Sequence, residues 1–116
     1  MSSTKDILEH HLECFGKGNL HGILADYSAD ALLLIPTGPL KGLDALRSFF
    51  QAMFAEFAKP GASFTMLQQH VEGDYAYILW SAESADNRYD FATDTFVMRN
   101  GKIVAQSFAA KIVPKR

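Results

Sequence analysis

The sequence has little of several features that define common classes of protein. Its single cysteine, Cys14, cannot form an internal disulfide bond, which fits a reducing compartment, so we expect a cytoplasmic protein. Apolar runs are far shorter than the roughly 20 residues of a membrane-spanning helix, and no charged segment followed by an apolar one opens the chain. A formal net charge of −2 gives no indication of binding to nucleic acid or to an anionic membrane.

Sequence motifs for common cofactors are missing as well. The four histidines show no His-x-x-x-His or similar spacing, so a metal site is not expected. A phosphate-binding loop, a dinucleotide fingerprint and a nucleophile elbow are also absent, which disfavours ATP, NAD and serine-hydrolase chemistry. We therefore expect a protein that needs no cofactor.

What the sequence does have is many aromatic residues, with nine Phe, four Tyr and one Trp among 116 residues. The remaining composition, 48% hydrophobic and 21% charged, is that of an ordinary globular chain, and the length predicts one domain over residues 1–116. Large aromatic side chains either fill a core or line a cavity.

Patterns in the first half of the chain predict three helices. The first begins at Ser3 or Thr4, where Ser3 has capping-box spacing with Asp6, and the second is short and begins after Asn19. The third covers about residues 43–57 and is clearly amphipathic. Between the last two helices, a strand over residues 31–35 is ended by two nearby prolines, which cannot both belong to a central strand.

Two helices place candidate site residues on apolar faces. His11 lies within the apolar arc of the first helix, whereas His10 lies at its more polar edge. Phe50 and Phe54 belong to the apolar stripe of the third helix, for which core packing is the plainer interpretation and a cavity wall the alternative. Tyr27, which continues the apolar spacing of the second helix, is a further wall candidate.

The second half predicts four strands in an antiparallel meander, over about residues 62–72, 75–84, 89–99 and 102–113. Asn100-Gly101 is the strongest hairpin signal, because a type I′ turn requires positive φ at both central residues. The register that this turn sets pairs Arg99 with Lys102, Met98 with Ile103, Phe96 with Ala105, and Asp94 with Ser107.

One face of that hairpin is small and apolar and carries a single charge, on Asp94. We interpret it as the inward face; alternatively Asp94 is a structural acid bonded to Ser107 or a neighbouring threonine, or a slipped register turns it outward. Trp80 lies on the more apolar face of its strand and is expected to face the same pocket. Its alternative role is a core tryptophan whose N–H binds the backbone.

Three stretches, residues 15–23, 27–42 and 93–103, resemble in order and spacing the family of ketosteroid isomerases and SnoaL-like polyketide cyclases. The resemblance covers nearly the whole chain. It implies an α+β fold of the nuclear-transport-factor-2-like, or cystatin-like, type: three N-terminal helices packed on a strongly curved, mixed or antiparallel sheet that encloses a pocket.

The resemblance also assigns candidate catalytic residues. Asp94 matches the aspartic acid with which ketosteroid isomerases, in its protonated form, donate a hydrogen bond to the developing oxyanion, and His11 matches their oxyanion-hole tyrosine. Ile35 occupies the position of their general base and cannot take a proton, which argues against the steroid isomerase reaction. The cyclase branch, where an acidic residue helped by histidine carries acid–base chemistry, is the better match.

We expect a ligand pocket lined by Trp80, Phe96, Tyr27, Ile35, Phe50, Phe54 and Ser107, with Phe108 as a weaker candidate. Burial there would raise the pKa of Asp94, whereas a protonated His11 would lower it. The expected partner is a small apolar or carbonyl-containing molecule.

Three functions fit these features. The first is a cofactor-free enzyme of isomerase, cyclase or hydratase type, and the second is a binding module that has lost the chemistry. The third is a dimeric interaction domain with a filled core. Apolar residues such as Phe91 and Val97 on the outer face of the sheet predict a homodimer through that face, as the family resemblance also implies.

Overall fold

The computed structural model describes residues 3–115, which form three helices and six strands. The helices are α1 (Thr4–Lys17), α2 (Leu20–Leu24) and α3 (Leu43–Ala58). The strands are β1 (Tyr27–Ile35), β2 (Gly38–Lys41), β3 (Ser63–Glu72), β4 (Tyr75–Glu83), β5 (Asn87–Arg99) and β6 (Lys102–Pro114). None of the helices within this range has the length and apolar composition to cross a membrane.

The six strands form one mixed sheet, in the order β2-β1-β6-β5-β4-β3, that is not closed. The pair β1 and β6 is parallel, and the other neighbours are antiparallel, so the predicted meander of β3 to β6 is confirmed. The short strand β2 was not predicted. Its Pro39 pairs with Leu34 at the edge of the sheet, where a missing N–H is tolerated.

The helices begin where the sequence predicts. The Ser3 side chain accepts from the backbone N–H of Asp6 in a capping box, and the Asn19 side chain accepts from Gly22 at the start of α2. The second helix is shorter than its apolar spacing suggested, because Tyr27 already belongs to β1. The side chains between helices and sheet form one apolar core, whose fully buried members include Leu8, Ile23, Leu33, Leu46, Phe96 and Ile103.

The predicted register between β5 and β6 holds only near the turn. Asn100 and Gly101 have φ of 53° and 76°, as a type I′ turn requires, and Met98 pairs with Ile103. Val97, however, pairs with Ala105, so β6 contains one extra residue at this point.

This bulge reverses which β6 side chains face the helices. Asp94 pairs with Phe108 and not with Ser107, so the predicted pairing is wrong. Gln106 is buried on the helix-facing side, whereas Ser107 is exposed on the outer side. The prediction failed because a turn motif fixes only the first pairs of a hairpin, and a bulge farther along shifts the rest.

A carboxylate near the end of α3 ties this helix to the sheet. Glu56 accepts hydrogen bonds from the hydroxyl of the fully buried Ser84, from Asn87 Nδ2 at 2.9 Å and from the Tyr89 hydroxyl at 2.9 Å. These three donors lie at the β4–β5 connection, so the contact fixes the distance between the helix end and the sheet.

We expect Glu56→Ala to lower the free energy of unfolding by about 2–3 kcal/mol, because it leaves buried hydroxyl groups without an acceptor. The matched control is Glu9→Ala, which removes an exposed ion pair with Lys5 and should change stability by about 0.5 kcal/mol or less. Urea unfolding of both variants measures the difference. Equal effects would contradict a stabilising role of Glu56.

Candidate functional site

The candidate site is built around the buried carboxyl group of Asp94. This residue lies on β5 between buried Ala92 and buried Phe96, so its side chain points toward the helices, and it is 7% exposed. Trp80 Nε1 donates a hydrogen bond to Oδ1 at 2.8 Å, and Gln106 Nε2 donates one to Oδ2 at 2.8 Å. Each carboxylate oxygen therefore has one neutral donor.

The hydrogen bonds continue from Gln106 to β1. The Tyr27 hydroxyl donates to Gln106 Oε1, and this contact orients the amide so that its Nε2 donates to Asp94. Burial, together with the negative charge of Asp94, raises the pKa of Tyr27 well above its ordinary value, which keeps the phenol protonated. Two donors, Trp80 and Gln106, thus hold the Asp94 carboxylate directly, and the Tyr27 hydroxyl fixes the orientation of the Gln106 amide.

Burial raises the pKa of Asp94 from 3.8 to about 6, while the hydrogen bonds from Trp80 and Gln106 act in the opposite direction. Desolvation is the larger effect, because no full positive charge compensates for it among the groups that shift this pKa. A carboxyl group with a pKa of about 6 can donate or accept a proton near neutral pH.

His11 is a neutral imidazole inside an aromatic cage. It is 5% exposed on α1, and its ring centroid lies 5.0 Å from that of Phe96 and 6.0 Å from those of Tyr27 and Phe50. Burial lowers its pKa from 6.5 to about 3. Its Nδ1 is buried and has no hydrogen-bond partner among residues 3–115. Such an unpaired polar atom is costly, and a ligand or water that bonds to it would recover that cost.

A cavity of about 30 Å³ lies beside Asp94, with room for one or two water molecules. Three polar side chains line it, those of Asp94, His11 and Gln106. The other wall residues are apolar or aromatic: Leu12, Phe15, Phe49, Phe50, Met53, Phe64, Ile78, Trp80 and Phe108.

An open groove of about 340 Å³ adjoins this cavity. It lies between the ends of α1 and α3 and the start of β3, and its walls are Leu12, Phe15, Gly16, Phe57, Ala62, Ser63, Phe64 and Met66. Leu12, Phe15 and Phe64 belong to the walls of both spaces.

The sequence-predicted residues are divided between the cavity wall, the core and the surface. Asp94, His11, Trp80 and Phe50 line the cavity, as does the weaker candidate Phe108. Phe96 and Tyr27 lie in the buried core, and Phe54 and Ile35 are partly buried and pack against it. Ser107 lies on the outer face.

Sequence reasoning missed Gln106 and Phe64. Gln106 occupies the inward position beside Asp94 that was predicted for Ser107. The signal that could have revealed this register was Phe108. As the large aromatic of β6, Phe108 is best placed inward, yet the predicted register put it on the opposite face from its neighbour Ser107. Phe64 lies on an exposed edge strand, and its sequence position gives no sign that it reaches the cavity.

The remaining histidine on α1 belongs to a separate polar contact. His10 Nδ1 lies 2.7 Å from Asp26 Oδ2, and its ring lies close to Cys14 Sγ. Within residues 3–115, no three His, Cys, Asp or Glu side chains are grouped so that they could hold a metal ion.

Comparison with known families gives a clear match. Residues 8–106 match the SnoaL-like domain. The chain belongs to the SnoaL-like family. A search of curated proteins found no match.

Solved structures show the same nuclear-transport-factor-2-like fold. The epoxide hydrolase/cyclase-like enzyme SalBIII, which has a role in pyran ring formation in salinomycin, superposes with a TM-score of 0.79 at 15% identity, over 93% of this SnoaL-like chain and 90% of SalBIII. A candidate ketosteroid isomerase from Kribbella flavida gives 0.76 at 14% identity, over 93% and 77%. An NTF2-like protein from Burkholderia pseudomallei gives 0.78 at 17% identity, over 96% and 92%. At these identities the likeness establishes the fold.

The raised pKa of Asp94 predicts a specific dependence of stability on pH. The folded-state pKa of about 6 lies above the unfolded value of 3.8, so the contribution of Asp94 is fully present below about pH 4 and is lost as the pH rises through 6. We expect the wild type to lose up to about 3 kcal/mol relative to Asp94→Asn between pH 4 and pH 7.

Urea unfolding at a series of pH values, followed by the fluorescence of Trp80, measures this difference. Asp90→Asn, which removes a more accessible carboxylate of the same strand, is the control and should show no such change near pH 6. A wild-type-to-Asp94→Asn difference that is constant with pH would show that Asp94 does not titrate in this range.

Proposed function

We propose that this SnoaL-like protein is a cofactor-independent enzyme that transfers protons on a small apolar carbonyl compound. The proposal depends on one observation: Asp94, with its pKa raised to about 6, lines the same cavity as His11, whose Nδ1 is unpaired. Ligand sites of proteins are mostly apolar, with a few converging polar groups whose pKa values are perturbed. The remaining cavity walls are predominantly apolar and aromatic.

The pKa values assign a role to each group. Above pH 6 the Asp94 carboxylate accepts a proton from the carbon next to the carbonyl, and the electron pair moves to the carbonyl oxygen. Neutral His11 donates an N–H hydrogen bond to that oxygen as its charge develops. Asp94 then returns the proton to the same or another carbon. In the ketosteroid isomerase pattern the base precedes the proline after the first strand; here Ile35 stands there, and the base is Asp94.

The solved relatives support the chemical class. SalBIII is described as epoxide hydrolase/cyclase-like, and a second relative is a candidate ketosteroid isomerase. Hydrolysis or cyclisation of an epoxide and isomerisation of a ketone each require proton transfer. The present chain shares their fold, so we extend the class of reaction, and not their substrates, to it.

The exchange of the α-hydrogens of 2-tetralone in deuterated buffer, measured by NMR, tests the proposed role of Asp94. This ketone is apolar and enolises readily. We expect the wild type to accelerate exchange, with a rate that rises through about pH 6 as Asp94 ionises. Asp94→Asn should lower the rate at least about 100-fold, the usual contribution of a general base.

Two controls separate this role from a general effect on the fold. Asp90→Asn removes a carboxylate outside the cavity and should leave the rate unchanged. His11→Gln should lower the rate without moving the midpoint of its pH profile, because Asp94 sets that midpoint. Equal exchange rates for wild type and Asp94→Asn would refute the assignment.

We also propose that the outer face of the sheet forms a homodimer. Four residues lie side by side across this face in register, Tyr77, Thr95, Ser107 and Leu34, and the Leu34 side chain is among the exposed large apolar groups. Phe91 and Tyr75, also exposed, lie on the same side of the sheet. A sheet that packs its inner face on helices and carries apolar residues outside is typical of a protein interface.

Sedimentation velocity of Ser107→Arg tests this interface. A charged side chain at the centre of the outer face would be buried without a partner, so we expect a dimeric wild type and a monomeric variant. The control is Gln69→Arg on the exposed edge strand β3, which should remain dimeric. A monomeric wild type would exclude the dimer.

A further inference from the structure

The inner cavity is too small to hold a substrate by itself. A volume of about 30 Å³ admits a water molecule or the oxygen of a ligand, whereas ligand sites usually measure roughly 300–1,000 Å³. The adjoining groove, at about 340 Å³, falls within that range. Among residues 3–115, the groove is therefore the adjoining space that can take the body of a ligand whose polar group reaches Asp94.

Three side chains separate the two spaces, and they differ in how firmly they are packed. Phe15 contacts the rings of Phe54 and Phe57, at centroid distances of 5.4 and 6.0 Å, and Leu12 is held on the same helix. Phe64, in contrast, is 43% exposed on the edge strand β3. Its ring stacks on Trp80, at a centroid distance of 5.0 Å and an angle of 22°, and makes a looser, tilted contact with Phe15 at 6.3 Å.

Phe64 is thus the side chain of the partition that can turn outward with the least loss of packing. It also touches the residue that donates to Asp94 Oδ1, since Trp80 makes both contacts. A ring of a ligand could replace the ring of Phe64 on the face of Trp80. This would merge the cavity and the groove into one elongated site with a polar inner end.

We propose that the groove between α1, α3 and β3 binds the apolar tail of the ligand, with Phe64 displaced, while a carbonyl or hydroxyl head reaches Asp94. The ligand class is therefore an elongated, largely apolar molecule with one oxygen function at its end. This inference deepens the proposed function and rests on it for the role of Asp94.

Gly16 provides a way to fill the groove without straining the fold. It lies in α1 and lines the groove, and a Cβ added there meets nothing within 4 Å. Gly16→Leu should occupy the tail site, whereas Gly16→Ala leaves it open and is the matched control. The probes are phenol and 4-phenylphenol, which carry the same hydroxyl head and differ by one apolar ring.

Isothermal titration calorimetry gives the affinities, and the indole N–H resonance of Trp80, the only tryptophan in the sequence, reports binding at the site. We expect the wild type and Gly16→Ala to bind 4-phenylphenol at least about tenfold more tightly than phenol, with a shift of that resonance. Gly16→Leu should lose this preference and retain phenol binding. Phe64→Ala should speed association of 4-phenylphenol, and Phe91→Ala, an exposed phenylalanine of the outer face, should not.

The outcomes separate this inference from the proposed function. An unchanged preference in Gly16→Leu, or no binding of either probe to the wild type, would overturn the tail site. Loss of the preference in Gly16→Leu, together with unaltered binding of both probes to Asp94→Asn, would support the tail site and refute the role of Asp94. Weaker binding of both probes to Asp94→Asn would support the two proposals together.

Discussion

The rest of the site depends on the burial of one carboxyl group. Asp94 is held between an indole and an amide, each of which donates one hydrogen bond without adding a positive charge. Neutral donors satisfy a carboxylate but offset only part of its desolvation, so the proton affinity rises. A lysine or arginine in the place of Trp80 or Gln106 would hold the carboxylate and lower its pKa, and the acid–base capacity would be lost.

This arrangement requires an irregular sheet. Gln106 reaches Asp94 because β6 has one extra residue next to Val97, which turns the even-numbered side chains beyond it toward the helices. In a regular ladder the small, exposed Ser107 would face Asp94. The bulge therefore replaces a serine by a longer amide that also binds Tyr27, and it extends the network from β5 to β1. The hydrogen bonds to Glu56 have a related role, because they fix the end of α3 that forms one side of the groove.

Much of the fold could be predicted from the sequence, because its signals are local. Capping residues, the amphipathic stripe of α3 and the turn at Asn100-Gly101 each act within a few residues, and they place the helices and the meander correctly. The alternation along β5 likewise identified Asp94 as the charged member of a buried face. Non-local features were missed: the bulge in β6, the edge strand β2, and the contact of Phe64 with Trp80. Each depends on how distant segments meet, which no periodicity records.

The two buried groups of the site have opposite effects on proton binding during folding. Asp94 binds a proton more tightly in the folded chain than in the unfolded chain, and His11 binds one less tightly. Between about pH 4 and pH 6, Asp94 takes up a proton on folding and His11 releases one, and the two nearly balance. Their joint contribution to the free energy of unfolding therefore hardly changes with pH in that interval. The site can therefore change from neutral to negative near pH 6 while the fold around it gains or loses little. A chain that carried Asp94 without His11 would lack this compensation.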